Sequence, residues 1–153
     1  MPHRPRLFVK GGREQSRPAT LGYHYYSTGK VESIQSSNTN GVNVSYTYDG
    51  LNRLSTVVDN RLSSSNTTSY TYDNASNIAM VATPNGLQSK FTYDTLNRLT
   101  AMSTSVASYN HTLGLTGNRT QAIESNGRTV NWSYDNIYRL TSETIAGDPL
   151  RSG

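Results

Sequence analysis

No cysteine occurs in the 153 residues, which excludes a disulfide framework and any thiolate metal site. Charge is scarce as well, with Asp, Glu, Lys and Arg together making 16% of the chain. A disordered chain usually carries high net charge and few aromatics, whereas this one has 11 tyrosines. No apolar run reaches the length that crosses a bilayer, so no transmembrane segment is expected. The first ten residues, Met1 to Lys10, contain no hydrophobic stretch of secretory-signal length. Catalytic signatures are also missing: there is no HExxH, no nucleophile elbow and no phosphate-cradling glycine pattern. The three histidines, His3, His24 and His111, are scattered, and His111 stands at an aromatic position. These absences predict no enzymatic activity, no cofactor and no metal.

What the chain does have is polar and strand-forming. Ser (20), Thr (19) and Asn (15) dominate, and Tyr, Thr and Val favour strands over helices. The net charge of +4 is unevenly placed, because residues 1–20 hold Arg4, Arg6, Lys10, Arg13 and Arg17 against Glu14. The remainder of the chain is balanced. Residues 1–20 therefore read as a basic, disordered leader, 21–147 as the folded region, and 148–153 as a disordered tail. A sparse basic arm of this kind reads as a solvated tail, and no nucleic-acid partner is expected.

Within the folded region an aromatic, alternating stretch recurs before a short polar turn. Three copies are full: Tyr46-Thr-Tyr48-Asp49-Gly-Leu-Asn-Arg53-Leu54, Phe91-Thr-Tyr93-Asp94-Thr-Leu-Asn-Arg98-Leu99 and Trp132-Ser-Tyr134-Asp135-Asn-Ile-Tyr-Arg139-Leu140. A fourth keeps its head, Tyr70-Thr-Tyr72-Asp73, and loosens its tail to Ile78. Two weaker copies are Tyr23 to Val31, and His111 to Arg119, which ends Gly117-Asn118-Arg119. The second aromatic position falls at Tyr25, Tyr48, Tyr72, Tyr93, Leu113 and Tyr134, in steps of 23, 24, 21, 20 and 21. A steady period of this size marks a repeat architecture.

Each repeat reads as two strands. Val42, Val44, Tyr46 and Tyr48 share one parity, and Asn43, Ser45, Thr47 and Asp49 the other, which gives a strand with one apolar and one polar face. A returning strand begins at Arg53-Leu54, Arg98-Leu99 or Arg139-Leu140. Asn40-Gly41, Asn85-Gly86 and Asn126-Gly127 mark the next reversal and predict type I′ hairpins. The fold class expected is all-β: an antiparallel meander of about six repeats. Asp49, Asp73, Asp94 and Asp135 end strands and open turns, where a carboxylate accepts from backbone N–H groups two residues on. Arg53, Arg98 and Arg139 stand four residues later, placed to neutralise them. A calcium loop at Asp73 to Asn77 is disfavoured, because one carboxylate is too few for a hard cation. One repeat cannot bury enough surface to fold by itself, so neighbours must share strand pairing and rings. Open sheet edges at either end invite pairing with other chains.

These residues resemble the YD-repeat, or Rhs, family, whose signature is Tyr-x-Tyr-Asp-x-x-Gly/Asn-Arg-Leu, over roughly residues 23–146. The family includes bacterial Rhs toxins, the shell subunits of insecticidal Tc toxins and animal teneurins. The resemblance implies a β-sheet that spirals into a hollow shell, enclosing or displaying a toxin or effector in a secreted or cell-surface assembly. Partners implied are further repeats of a longer parent chain, or other copies through the open edges. Two alternatives stand beside this. Exposed Tyr and Asn ladders would suit a glycan- or protein-binding surface, and a truncated fragment would have no activity of its own.

Overall fold

The computed structural model describes residues 19–61 and 66–147. The expected leader (but for its last two residues) and the expected tail lie outside them. The described residues form a single 12-stranded antiparallel sheet in which every strand pairs with its sequence neighbours. The strands are β1 (Leu21–Tyr25), β2 (Val31–Ser36), β3 (Asn43–Tyr48), β4 (Leu54–Asp59), β5 (Thr67–Tyr72), β6 (Ile78–Ala82), β7 (Gln88–Tyr93), β8 (Leu99–Ser103), β9 (Ser108–Leu113), β10 (Arg119–Glu124), β11 (Thr129–Tyr134) and β12 (Leu140–Ala146). No helix occurs among the described residues, so none is long and apolar enough to cross a membrane. Thr20, within the expected leader, continues the sheet: its carbonyl accepts from the Ser37 N–H at 3.0 Å.

The odd-numbered strands carry the aromatic heads and the even-numbered strands return. Directly opposed residues share a face, so Tyr46 with Val57, Tyr70 with Val81, Phe91 with Met102 and His111 with Ala122 build one apolar face. The other face is stitched by short polar side chains. Thr47 and Thr56 hydroxyls meet at 2.6 Å, and Gln121 donates its amide to Asn131 at 2.8 Å. A single layer has little to bury. Among the described residues only Ala122 and Val130 are buried apolar side chains, while β1 and β12 are exposed throughout.

Each head hairpin contains a β-bulge that simple alternation does not foresee. Thr47 pairs with Thr56 and Tyr48 with Leu54, which leaves Ser55 as the extra residue. By the same register shift the extra residues elsewhere are Glu32, Ala79, Thr100, Thr120 and Thr141. The extra residue rephases the return strand, so that Leu54 and Val57, three apart, both face the aromatic side. At Thr100 and Thr120 the hydroxyl donates to the carbonyl of Thr92 and Thr112, at 3.2 and 3.1 Å.

The type I′ expectation for the Asn-Gly pairs is corrected. A type I′ turn needs both central residues at positive φ. Only Gly86 (φ 83°) and Gly127 (φ 90°) of those pairs have it; Asn85 and Asn126 do not. The N–H of Gly86 reaches the Thr83 carbonyl, and Thr83 N–H reaches Leu87, closing a three-residue loop with its last member left-handed. Gly127 closes 124–128 in the same way. Asn40-Gly41 lies in a longer connection in which the Gly41 N–H donates to Asn38. Three loop residues keep the strand twist and need only one left-handed position, which glycine fills at no steric cost.

Candidate functional site

The Asp and Arg signature residues line up at one end of the strands, in the turns 49–53, 73–77, 94–98 and 135–139. In each, the first N–H donates to the fifth carbonyl and the fourth N–H donates back to the first carbonyl. The fourth residue is left-handed: Asn52 (φ 61°), Ser76 (67°), Asn97 (60°) and Tyr138 (63°). The aspartate then fills the loop from inside. Asp49 Oδ1 accepts from the N–H of Leu51 and of Arg53, both at 2.9 Å, while Oδ2 accepts from Arg53 Nε at 2.8 Å. Asp94 with Arg98 and Asp135 with Arg139 repeat this arrangement. At Asp73 the partner is the Asn77 side-chain amide, at 3.0 Å.

These contacts hold the carboxyls below their ordinary range. For Asp49, Asp94 and Asp135 the leading cause is the backbone N–H of the arginine four residues on; for Asp73 it is the Asn77 side chain. Both oxygens of each aspartate are engaged by donors of its own turn. The arrangement makes each aspartate the staple of its own turn. No cluster of three or more His, Cys, Asp or Glu stands together among the described residues.

The staple also reaches from one repeat to the next. Tyr48, Tyr72, Tyr93 and Tyr134 donate their hydroxyls to the carbonyls of Val31, Leu54, Ile78 and Arg119, at 3.0, 2.8, 3.0 and 2.8 Å. Each acceptor is the first residue of the preceding repeat's return strand. In the opposite direction the fifth turn residue leans forward. Arg53 stacks 4.4 Å over the Tyr72 ring and donates to Ser76 Oγ at 2.9 Å; Lys30 sits 5.1 Å over Tyr48. Arg98 donates to the Gly114 carbonyl at 3.0 Å, and Asn77 to the Asn97 side chain at 2.9 Å. Arg119 lies 5.8 Å over Trp132, whose indole N–H donates to Glu143. Of the remaining signature residues, Tyr46, Tyr70 and Phe91 line the apolar face, Leu54, Leu99 and Leu140 open return strands, and Gly117 (φ 90°) with Asn118 closes the 114–118 turn.

The inter-repeat ties were not foreseen from the sequence, because they depend on which strands lie side by side. The one signal for them was periodic: a cation or amide at the fifth turn position in every copy. Tyrosine exposure is mixed, with Tyr23, Tyr25, Tyr26, Tyr109 and Tyr138 exposed. Tyr46, Tyr48, Tyr70, Tyr72, Tyr93 and Tyr134 are all half-buried. A cleft of about 260 Å³ between the 26–30 and 49–53 turns has Tyr48 in its wall, with Lys30 5.1 Å over that ring and Tyr26 in a T-shaped contact with it at 6.1 Å.

Fold and site together define a single-layer antiparallel repeat sheet, stapled along its row of head turns. No family profile matches the sequence, and no curated protein does. Solved structures of Tc toxin shell proteins share its fold. The crystal structure of TcdB2-TccC3-Cdc42 superposes at a TM-score of 0.70 with 16% identity, over 82% of this chain and 7% of that one. TcdB2-TccC3 without its hypervariable C-terminal region gives 0.70 at 17% identity, also over 82% and 7%. The Photorhabdus luminescens Tc holotoxin pore gives 0.67 at 10% identity, over 84% and 8%. These are Rhs/YD-repeat shell proteins, and the shared fold supports the resemblance carried by the Tyr-Asp motifs. The chain spans about 7% of the length of the TcdB2-TccC3 chains.

Proposed function

We propose that this chain is a stretch of shell wall: a non-enzymatic β-sheet that encloses or displays a toxin or effector in a secreted or surface assembly. The observation that carries this reading is the continuity of the staple. Turn backbone and register recur from repeat to repeat, and the tyrosine tie recurs at Tyr48, Tyr72, Tyr93 and Tyr134, so the sheet extends by addition, as a wall must. The likeness to Tc toxin shells supports it. Its partners are further repeats of the same kind. An antibody raised against this sequence would test the reading in the organism that makes it. It is expected to recognise a secreted or surface particle that protects an internal polypeptide from added protease until the particle is opened. Finding the antigen only inside the cell, in a species that protects nothing, would count against it.

A further inference from the structure

We propose that the two edge strands of the described sheet are matched halves of one repeat junction, so that β12 of one copy pairs antiparallel with β1 of a second copy. The proposal rests on strand register and stands whether or not the wall encloses a cargo.

The junction between repeats is invariant. At each, the residue two beyond the start of a return strand faces the residue three before the next second-aromatic position. The pairs are Ser33 with Ser45, Thr56 with Ser69, Met80 with Lys90, Ala101 with Asn110 and Gln121 with Asn131. None of these junctions contains a bulge. Carried past β12, whose return strand starts at Leu140, the same rule sets Ser142 against Gly22 of a second copy, Glu143 against Leu21 and Thr144 against Thr20.

Side chains at the two edges complete the match. Arg139 closes the last described turn, at the position of Arg53 and Arg98. Its side chain is 75% exposed, against 24% and 30% for those two, because no following repeat covers it among the described residues. At the other edge Tyr25 holds the position of Tyr48 and Tyr72, yet it is 57% exposed. In the proposed register the Tyr25 hydroxyl meets the Leu140 carbonyl, Arg139 covers the Tyr25 ring, and the Tyr26 carbonyl takes the place of Gly114's. Pairing two β1 edges would bring rings together without a cation. Pairing two β12 edges would bring arginines together without a ring. The head-to-tail arrangement supplies both, and such a heterologous contact propagates unless its rotation closes a ring.

The absence of native cysteine makes the test direct. Full-length Gly22→Cys and Ser142→Cys proteins are mixed and treated with a short bifunctional thiol reagent. A Cβ at Gly22 would lie 3.7 Å from the Gln35 carbonyl, an ordinary contact, so the substitution fits. The expected product is the mixed dimer, at about tenfold the yield obtained with Leu21→Cys, because a slip of one residue turns the thiol to the opposite face. Adding Arg139→Ala to the Ser142→Cys chain is expected to raise the half-saturating concentration about tenfold, and Arg139→Lys to restore most of the loss. Tyr25→Phe in the Gly22→Cys chain reads the same contact from the other side, with an expected loss of about threefold to tenfold. Predominant like-with-like dimers, equal yield from Leu21→Cys, no dimer, or no effect of both Arg139→Ala and Tyr25→Phe would each overturn the proposal. Failure of the protease-protection experiment would leave it intact.

Discussion

The fourth and fifth head turns, 94–98 and 114–118, follow one another at the same end of the strands and have the same backbone. In both, the first N–H donates to the fifth carbonyl (3.0 and 2.8 Å) and the fourth N–H to the first carbonyl (3.0 Å in each). Their side chains share little. Asp94 is replaced by Gly114, Arg98 by Asn118 and Tyr93 by Leu113. The turn geometry therefore belongs to the left-handed fourth position, Asn97 or Gly117; the Asp-Arg pair is an addition in which the aspartate closes its own turn and the arginine reaches the next repeat. What the fifth repeat loses in polar ties it gains in burial. Its return strand β10 contributes Ala122, which stands opposite Val130 of β11, and these are the buried apolar side chains among the described residues.

The largest effect is expected where that burial is concentrated. Val130 is 3% exposed, so Val130→Asp would place an uncompensated carboxylate in the driest part of the sheet, at a cost of several kcal/mol. Val106, 83% exposed in the loop between β8 and β9, is the matched control, where aspartate should change stability by less than about 0.5 kcal/mol. Urea unfolding followed by the fluorescence of Trp132, the single tryptophan and a neighbour on β11, reads both. Equal losses at the two sites would break the contrast between buried and polar junctions.

A smaller pair of changes sharpens it. Leu113→Tyr restores the hydroxyl that reaches the preceding return strand, here at the Leu99 carbonyl. It should stabilise the chain by about 1 kcal/mol, while Tyr93→Phe, which removes the bond to Ile78, should cost about the same. Smaller again are changes at the left-handed position. Gly117→Ala should cost about 1 kcal/mol and Tyr138→Gly should return about 0.5 kcal/mol, since a tyrosine at φ 63° carries steric strain that glycine lacks. Chemical denaturation midpoints at constant m-value check all four.

Strand positions were readable because tyrosine parity is local: Tyr46 and Tyr48 announce a two-faced strand without reference to anything distant. The bulges were not read, although their trace is present. In Leu54-Ser-Thr-Val57 and Leu99-Thr-Ala-Met102 the large apolar residues stand three apart, a spacing that strand alternation does not give. An extra residue after the leucine does. The Asn-Gly turns misled because a dipeptide preference ignores loop length, and the five-residue units 83–87 and 124–128 use the glycine alone. The ties from Tyr72 to Leu54 and from Arg53 to Tyr72 were out of reach for a different reason. They join residues 18 or so positions apart, and only the register of adjacent strands brings them together.

The smallest expected effect separates the two repeats by pH. His111 occupies in the fifth repeat the place of Phe91 in the fourth, half-buried against Ala122, and its Nδ1 has no hydrogen-bond partner. Burial first, and the nearby Arg119 second, hold the imidazole pKa below its ordinary value of 6.5. The unfolded chain then binds more protons than the folded one just below that pH, so stability falls as pH drops through about 6.5 and levels off once the folded imidazole protonates. The aspartates act in a separate window. Their folded pKa values lie below 3.8, so the stability they contribute is fully present above that value and is lost only as pH falls through the folded ones. His111→Phe should therefore flatten the slope just below pH 6.5 and leave the aspartate window unchanged. A wild-type denaturation midpoint that stays constant from pH 7 to pH 5 would show that His111 sits in the sheet at no electrostatic cost, and that the fifth repeat differs from the fourth only in its ties.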